Sequence, residues 1–587
     1  MIFLYRFLFC LVAIFANLPI QAELNQEIAQ PRFNSKPSVS TKSFMVTAAH
    51  PEAVKAGYEI LRQGGSAVDA AIAIQMVLNL VEPQSSGIGG GAFLLHWNAA
   101  DQSLISIDGR ETAPQSAGPG HFLDANGKPV KFWDAVVGGQ STGTPGTLRL
   151  LELAHNKFGR LPWSKLFDPA IQLARNGFIV TPRLSESVER AKNKGLNRFK
   201  DTRNYFFPNG IPLIAGSTLK NPAFADTLAT IAGQGVDAFY HGPIAEDIVA
   251  SAKSTSQHSD TISLVDLANY RAVIRDPVCA NYREYKVCGM GPPSSGGITV
   301  GQILGLLNDF KLEPIGDTSN NAGYDPVNTI HLYAEAAKLA YADRNFYIAD
   351  SDFIHVPVAG LLDPSYLSDR AKLIQATSIA PLATHGRPPG KIQQLLAPDQ
   401  SLEQPGTSHF SIVDRYGNVL SMTSTIEMAF GNRVMVRGLL LNNELTDFSR
   451  VPKQNDNWVA NRVEGGKRPR SSMAPTIVFD NKDNPILVIG SPGGSRIINY
   501  VAKSIIAILD WKMDVQKAID LGHFVNRNGP IELEANTKTA QYEEKLRLRG
   551  HKVKTNKLTS GLHAILIKPN QLIGGADSRR EGVVMGE

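Results

Sequence analysis

Cysteine is scarce in this sequence: Cys10, Cys279 and Cys288 are the only three in 587 residues. Structural zinc needs Cys or His clustered at short spacings. No CxxC, HExxH or His/Cys cluster of that kind occurs, so a metal site has no support here. An excess of one charge is lacking too. Lys and Arg number 59 against 54 Asp and Glu, a net charge of +5. It is spread without a basic block or a stripe of interleaved aromatics, so it reads as a solvated surface and gives nucleic-acid binding no support. Beyond the N-terminus no apolar run approaches the ~20 residues that cross a bilayer, and no internal repeat is visible.

What is present is a globular composition, 43% hydrophobic and 19% charged. The chain is too long for one simple core, which implies two or more lobes or one large multilayer domain. Its first residues, "MIFLYRFLFCLVAIFANLPIQA", carry one cation, Arg6, then an apolar run from Phe7 to Ile20 and small closing residues. This is the pattern of a secretory signal, residues 1–22, cleaved after Ala22. The alternative is a retained anchor; the short run and its Asn17-Leu18-Pro19 interruption argue against it. The expectation is an exported protein, periplasmic or secreted, with no stable membrane span once the signal and Cys10 are gone. Cys279 and Cys288, in "PVCANYREYKVCGM", lie in β-like sequence about a polar centre and suit a disulfide across a hairpin or adjacent strands. Two buried free thiols are the alternative.

Local patterns sketch the organisation. A polar leader, 23–42, precedes a helix in "PEAVKAGYEILRQGG". Ser66 and Asp69 then form a capping box for "AVDAAIAIQMVLNLVEP", apolar nearly all round and therefore buried. Strands "AFLLHW" and "SLISIDG" follow, then helices to about 255. The stretch Pro381–Gly406 is rich in Pro, Gly and Gln and reads as a surface loop. From Thr407 short β runs dominate before helices return. Strands and helices clustering on this scale argue for α+β layering around packed sheets.

Two motifs are decoys. "GIGGGA" formally fits a dinucleotide fingerprint, but a helix precedes it and a strand follows, the reverse of the required order. "GQSTG" fits a nucleophile elbow after the strand-like "AVVG", yet Thr144-Pro145-Gly146 interrupts where the helix should begin, so Ser141 reads as a turn or cap residue.

Thr407, in "QPGTSHFSIVD", is different. A hydroxyl needs a base to become a nucleophile. If the Gly406–Thr407 bond were cut, the threonine's own α-amine, with a pKa near 7.7–8.0, would serve. Gly406 gives the backbone freedom a cleavage site requires. The alternative is an ordinary strand-initiating threonine. Folding "SHFSIVDRYGNVLSMTST" about Arg415–Asn418 brings Thr407 level with Thr425 or Ile426, placing a second hydroxyl across from the first. In "GSPGGSR", Gly493 and Gly494 offer successive amides for an oxyanion hole, or simply a tight strand–helix turn.

Taken together, "GTSHFSIVD", "LLLNNELTDFS", "KRPRSSMAPTIV", "GSPGGSRI", "GIGGGAF", "DGRETAP", "PPSSGG" and "GGADSRR" resemble the gamma-glutamyltranspeptidase family of N-terminal-nucleophile hydrolases. The motifs keep the family's order from about residue 44 to 580. The resemblance implies a four-layer αββα sandwich and a proenzyme that cuts itself at Gly406–Thr407. The products would be a large chain, 23–406, and a small chain, 407–587, held together as a heterodimer.

The resemblance further implies that Arg110, Ser471 and Ser472 hold a donor's α-carboxylate and that Glu444 and Asp447 hold its α-amine. Gly493 and Gly494 would be the oxyanion hole and Thr425 the hydroxyl beside the nucleophile. The simpler readings are a salt bridge from Arg110 to Asp108 or Glu111, and a charged loop face for the two acids. The implied substrates are glutathione or other γ-glutamyl compounds with water, amino acids or dipeptides as acceptors, and no cofactor.

Two departures stand out. Glu427 occupies a position where well-known members carry Asn, and the stretch from Phe448 to Ser471 is short where some bacterial members have a lid. A more open site would favour hydrolysis and admit bulky leaving groups. A glutaryl-type acylase on the same scaffold is the second reading, disfavoured because three acids would be wasted on a group without an amine. A non-catalytic binding protein of the same fold is the third.

Overall fold

The two strands that begin at Thr407 organise the molecule. In the computed structural model Thr407–Val413 and Val419–Thr425 pair antiparallel in unbroken register, from Thr407↔Thr425 to Val413↔Val419. Asp414 closes their turn, its carboxylate accepting from the amides of Tyr416 at 2.9 Å and Asn418 at 3.0 Å, the local bonding that makes Asp a turn residue. The structure describes residues 36–587 except 259, 316–324, 379, 391–395, 400, 402 and 403. The signal-like segment 1–22, with Cys10, lies outside the described residues.

Sheet I runs from edge to edge as Val583–Gly586, Met45–Ala48, Thr407–Val413, Val419–Thr425, Gly91–Asn98, Ser103–Gly109 and Val273–Arg275, every pair antiparallel. Sheet II runs as Val39–Thr41, Gln571–Ala576, His563–Lys568, Pro485–Gly490, Thr476–Phe479, Tyr285–Gly289 and Val278–Tyr282, also antiparallel throughout. Both central strands of sheet I are buried along their whole length.

Alternation sorts their side chains. Phe410, Ile412, Leu420 and Met422 join the core formed with the helix Ala67–Val81, all fifteen residues of which are buried. Val413 and Val419 face the other way. With Met45, Leu95 and Trp97 they meet Ile477, Phe479, Val488, Ile565 and Leu572 of sheet II. Helices Gly296–Leu306, Pro326–Tyr347 and Ile497–Leu509 cover the far side of sheet II. The result is the expected α+β sandwich of four layers, αββα. By the same period of two, Thr407 and Thr425 share a face with Val413 and Val419 and open between the sheets.

Local chemistry explains the joins. Ser66 and Asp69 form the capping box, with Asp69 N to Ser66 Oγ at 3.2 Å and Ser66 N to Asp69 Oδ2 at 2.8 Å. Caps of this type contribute about 1 kcal/mol. Cys279 and Cys288 stand directly opposite one another on paired strands and are disulfide-bonded. Two sequence expectations fail locally. Val39–Thr41, read as leader, adds an edge strand to sheet II through Val39↔Gly574. "AVVG", read as strand, instead ends the short helix Phe132–Val136. Both pieces are too short for periodicity to decide between states.

The sheets approach closely at Gly490. A Cβ there would lie 2.3 Å from the His409 ring, which is itself held by Thr423 Oγ1 at 2.8 Å and Ser411 Oγ at 3.1 Å. Gly490→Ala is therefore expected to cost about 1–3 kcal/mol through overpacking. Thermal unfolding checks this; a melting temperature equal to the wild type would mean that the sheets have slack at this point.

Candidate active site

One cleft at the open end of the two sheets, about 240 Å³ counting the space open to solvent, gathers most of the residues singled out from the sequence. Thr407 and Thr425 form its floor, Arg110, Glu427, Glu444 and Asp447 one wall, and Ser471, Ser472 and Gly494 another. Gly493 stands next to this lining rather than in it.

The hydroxyls come first. Thr407 is almost fully buried at the head of its strand, and the chain runs on unbroken through Gly406. Thr425 Oγ1 donates to the Gly406 carbonyl oxygen at 2.7 Å and accepts from the Glu427 amide at 2.7 Å. The carbonyl before Thr407 is thus polarised by the residue that strand register sets opposite it. Gly406 is required for a reason the sequence did not supply. Its φ is not positive; a Cβ would instead lie 2.1 Å from the Glu427 carbonyl oxygen. Close approach, not backbone freedom, excludes a side chain there.

The charged wall is self-paired. Arg110, just past the strand Ser103–Gly109, is buried. Its guanidinium donates to Glu444, to Asp447 Oδ2 at 2.6 Å, and to the carbonyls of Pro469 and Arg470 at 3.1 Å each. Glu444 and Asp447 bracket a single 3-10 turn, where residues three apart are eclipsed, so both carboxylates reach the same cation. The alternatives from sequence hold in part. Asp108 accepts only the Arg110 backbone amide and binds the side chains of Arg275 and Arg468, whereas Glu111 does pair with the Arg110 guanidinium, at a looser 3.8 Å.

Glu427 is held with φ at 71°, a conformation costly for a non-glycine residue, and its carboxylate accepts from Asn443 Nδ2. Three acids, Glu111, Glu444 and Asp447, therefore surround one guanidinium, and Glu427 lies beside Glu444 and Asp447. Burial pushes the Glu111 carboxyl up to about 7, against the opposing pull of Arg110. Burial also raises Glu427, helped by Asp447 and Glu444, and raises Glu444 despite Arg110. Burial opposes the Arg110 charge, but Glu444, Asp447 and Glu111 outweigh it and hold the cation above its ordinary range. Such a wall demands either protons or an ammonium group.

Facing it, Ser472 Oγ accepts from Arg344 Nη2 at 2.6 Å, which leaves its own proton free to donate into the cleft. Ser471 Oγ accepts from the Met473 amide at 3.1 Å. Gly493 and Gly494 take φ of 139° and 58° before the helix Ile497–Leu509. Among the described residues neither of their amides donates a hydrogen bond, and the positive helix end adds to their attraction for an anion.

Ser141 stays outside: it closes a short buried helical turn, its Oγ donating to Val136 O at 2.7 Å and Gly138 O at 3.1 Å. Among the described residues one group, His331, Glu335 and His551, assembles metal-type ligands, but Lys338 Nζ, 2.7 Å from Glu335 Oε1, already supplies the cation. Sequence reasoning missed Glu82, Arg344 and Arg580, which touch Ser408, Ser472 and Thr407 respectively. Arg580 lay in "GGADSRR", noticed without a role; Glu82 and Arg344 sit in helical sequence that carries no local signal.

Residues 53–587 match the family model described as Gamma-glutamyltranspeptidase. The chain is 37% identical to the glutathione hydrolase proenzyme of Bacillus subtilis (strain 168), covering 93% of this chain and 92% of that one. It is 35% identical to the Escherichia coli (strain K12) glutathione hydrolase proenzyme, covering 96% and 93%. Acylase ACY 1 proenzyme of Pseudomonas sp. (strain SE83) is 34% identical over 94% of this chain and 96% of its own length. Among solved structures, cephalosporin acylase from Bacillus halodurans superposes with a TM-score of 0.80 at 26% identity, covering 95% of this chain and 98% of that one.

The strained acid wall has a measurable signature. A carboxyl raised from 4.5 in the folded state, as Glu427 is, contributes stability that is whole below that value and is lost as pH rises through the folded pKa. Glu427→Gln should match the wild type in melting temperature near pH 4 and exceed it by about 1–3 °C near pH 8. A difference independent of pH would remove the electrostatic explanation.

Proposed function

The chain belongs to the gamma-glutamyltranspeptidase family and by that kinship is a self-processing glutathione hydrolase and γ-glutamyltransferase; we propose that Thr407 first cuts its own chain and then carries the γ-glutamyl group. The observation that carries this reading is the 2.7 Å hydrogen bond from Thr425 Oγ1 to the Gly406 carbonyl oxygen. In the proposed maturation, Thr407 Oγ attacks that carbonyl carbon. The C–N bond to Thr407 breaks, the Oγ proton passes to the departing nitrogen, and water hydrolyses the resulting ester. Two chains result, 23–406 and 407–587, kept together by the shared sheets. Strand Met45–Ala48 of the first pairs directly with Thr407–Val413 of the second.

In turnover the freed Thr407 amine takes the Oγ proton as Oγ attacks the donor's γ-amide carbonyl. The Gly493 and Gly494 amides receive the oxyanion, each such donor being worth about 10²–10³ in rate. The amine returns the proton to the leaving group. Water or the amine of an amino acid or dipeptide then resolves the γ-glutamyl ester. Arg110 with Ser471 and Ser472 would take the donor's α-carboxylate, and Glu427, Glu444 and Asp447 its ammonium. A zwitterion replaces both partners of the Arg110 pairs at once, so neither charge is left bare. Export to the periplasm or outside the cell completes the reading. Among the described residues no helix is long and apolar enough to cross a membrane.

The likeness to acylases supports one alternative, release of glutaryl-type groups on the same scaffold. A glutaryl group lacks the amine, so it would leave the acid wall unpaired. A non-catalytic binding protein that kept the fold and lost maturation is the remaining one.

Purified wild type should give two bands on a denaturing gel, at about 40 and 20 kDa by residue count. Thr407→Ala should give one band and no activity, and Thr425→Ala should slow self-cleavage at least ~10²-fold. A single stable full-length band from wild type would defeat the catalytic reading. γ-Glutamyl anilide should be cleaved well ahead of glutaryl anilide, the reverse order favouring the acylase.

A further inference from the structure

A base must be unprotonated to work, and the acidic cleft opposes this at Thr407. An ordinary α-amine has a pKa of about 7.7–8.0, and each ionised carboxylate near it would stabilise the ammonium further. In front of Thr407 lie Glu427, Glu444 and Asp447, with Glu111 behind Arg110. What offsets them lies on the opposite side.

Arg580 is fully buried there. Its Nη1 donates to the Thr407 carbonyl oxygen at 2.9 Å and its Nε to the Ser560 carbonyl at 3.2 Å. The site is shaped for it. A Cβ at Gly561 would lie 2.7 Å from Arg580 Cδ, and the Arg580 amide is tied to Asp577 O at 3.2 Å. The α-nitrogen and carbonyl oxygen of one residue lie about 3 Å apart. The guanidinium charge is thus roughly 5–6 Å from the nitrogen that cleavage frees, in a place salt does not screen. Glu82 stands 3.9 Å from Arg580 Nη1 and accepts from Ser408 Oγ at 2.9 Å and from Arg183 Nε at 3.4 Å. Glu581 follows Arg580 in the chain, half-buried. On the cleft side Arg433 acts on Glu427, and Arg344 meets Ser472.

We propose that Arg580 keeps the α-amine of mature Thr407 in its neutral, proton-accepting form and, through the carbonyl, aims it at the hydroxyl. Glu82 works in the opposite sense and limits the effect. Arg580 is a positioning residue, since it reaches the substrate only through Thr407. The inference rests on the reading of Thr407 as an N-terminal nucleophile.

The test is the pH dependence of kcat on γ-glutamyl anilide for matured wild type, Arg580→Gln, Arg580→Lys and Glu82→Gln, with the small-chain N-terminus sequenced in each. Arg580→Gln should move the acid limb up by about one pH unit, and Glu82→Gln should move it down by about half a unit. Arg580→Lys should stay close to wild type. Opposite shifts follow from charge and not from general structural damage. If Arg580→Gln remains uncut, Glu82→Gln decides alone: a downward shift upholds the proposal, and an unmoved or raised limb overturns it. Matured variants with unmoved or parallel limbs overturn this inference only. A wild-type small chain beginning elsewhere than Thr407 overturns it together with the reading beneath it.

Discussion

Everything about this site hangs on the register that sets Thr425 opposite Thr407. In an antiparallel pair that single choice decides which hydroxyl meets which carbonyl. Here it lets Thr425 grip the oxygen of Gly406. A slip of the strand Thr407–Val413 by one residue would turn Thr407 to the helix side, away from Thr425, and carry Phe410 and Ile412 into the space between the sheets. The hydrophobic alternation of the hairpin therefore protects the chemistry at its open end. The turn at Asp414 and the paired neighbours Met45–Ala48 and Gly91–Asn98 make the register stiff.

The second organising feature is charge held out of water. Arg110 is satisfied by Glu444 and Asp447 rather than left waiting for a ligand. A lone buried guanidinium beside lone buried carboxylates would cost far more than the paired arrangement. Binding then means exchange. A ligand carrying both an anion and a cation can take over both sides of each pair, whereas one carrying a single charge leaves the other partner stranded. On the proposed reading, selectivity for a zwitterionic γ-glutamyl donor arises from this exchange as much as from shape. The strained backbone at Glu427 sits between the two systems, its amide on Thr425 and its carboxylate on Asn443. Conformational strain and the hydrogen bonding of Thr425 thus meet in one residue.

Much of this was legible before any coordinates. The layered α+β class, the hairpin, the capping box at Ser66 and the pairing of Cys279 with Cys288 all follow from periodicity or short-range bonding, which a sequence displays directly. The misreadings share one cause. Phe132–Val136 and Val39–Thr41 are too short to show a period, so packing chose their state. Gly406 was given the right importance for the wrong reason, because the Glu427 carbonyl that excludes a side chain lies twenty-one residues away. Arg580 was seen only as part of a terminal motif.

The sequence by itself determined which residue types are present, the alternation that makes the two central strands, and the order of motifs that marks the family. Those are properties of neighbours along the chain. Tertiary structure alone decided that Arg110 spends its charge mainly on Glu444 and Asp447, with Glu111 further off and Asp108 turned to Arg275 and Arg468. It alone set Arg580 and Glu82 against the strand that begins at Thr407, one from the end of the chain and the other from the end of its first buried helix. Burial and charge pairing depend on distance through space, and positions 82, 407 and 580 become neighbours only when the sheets close.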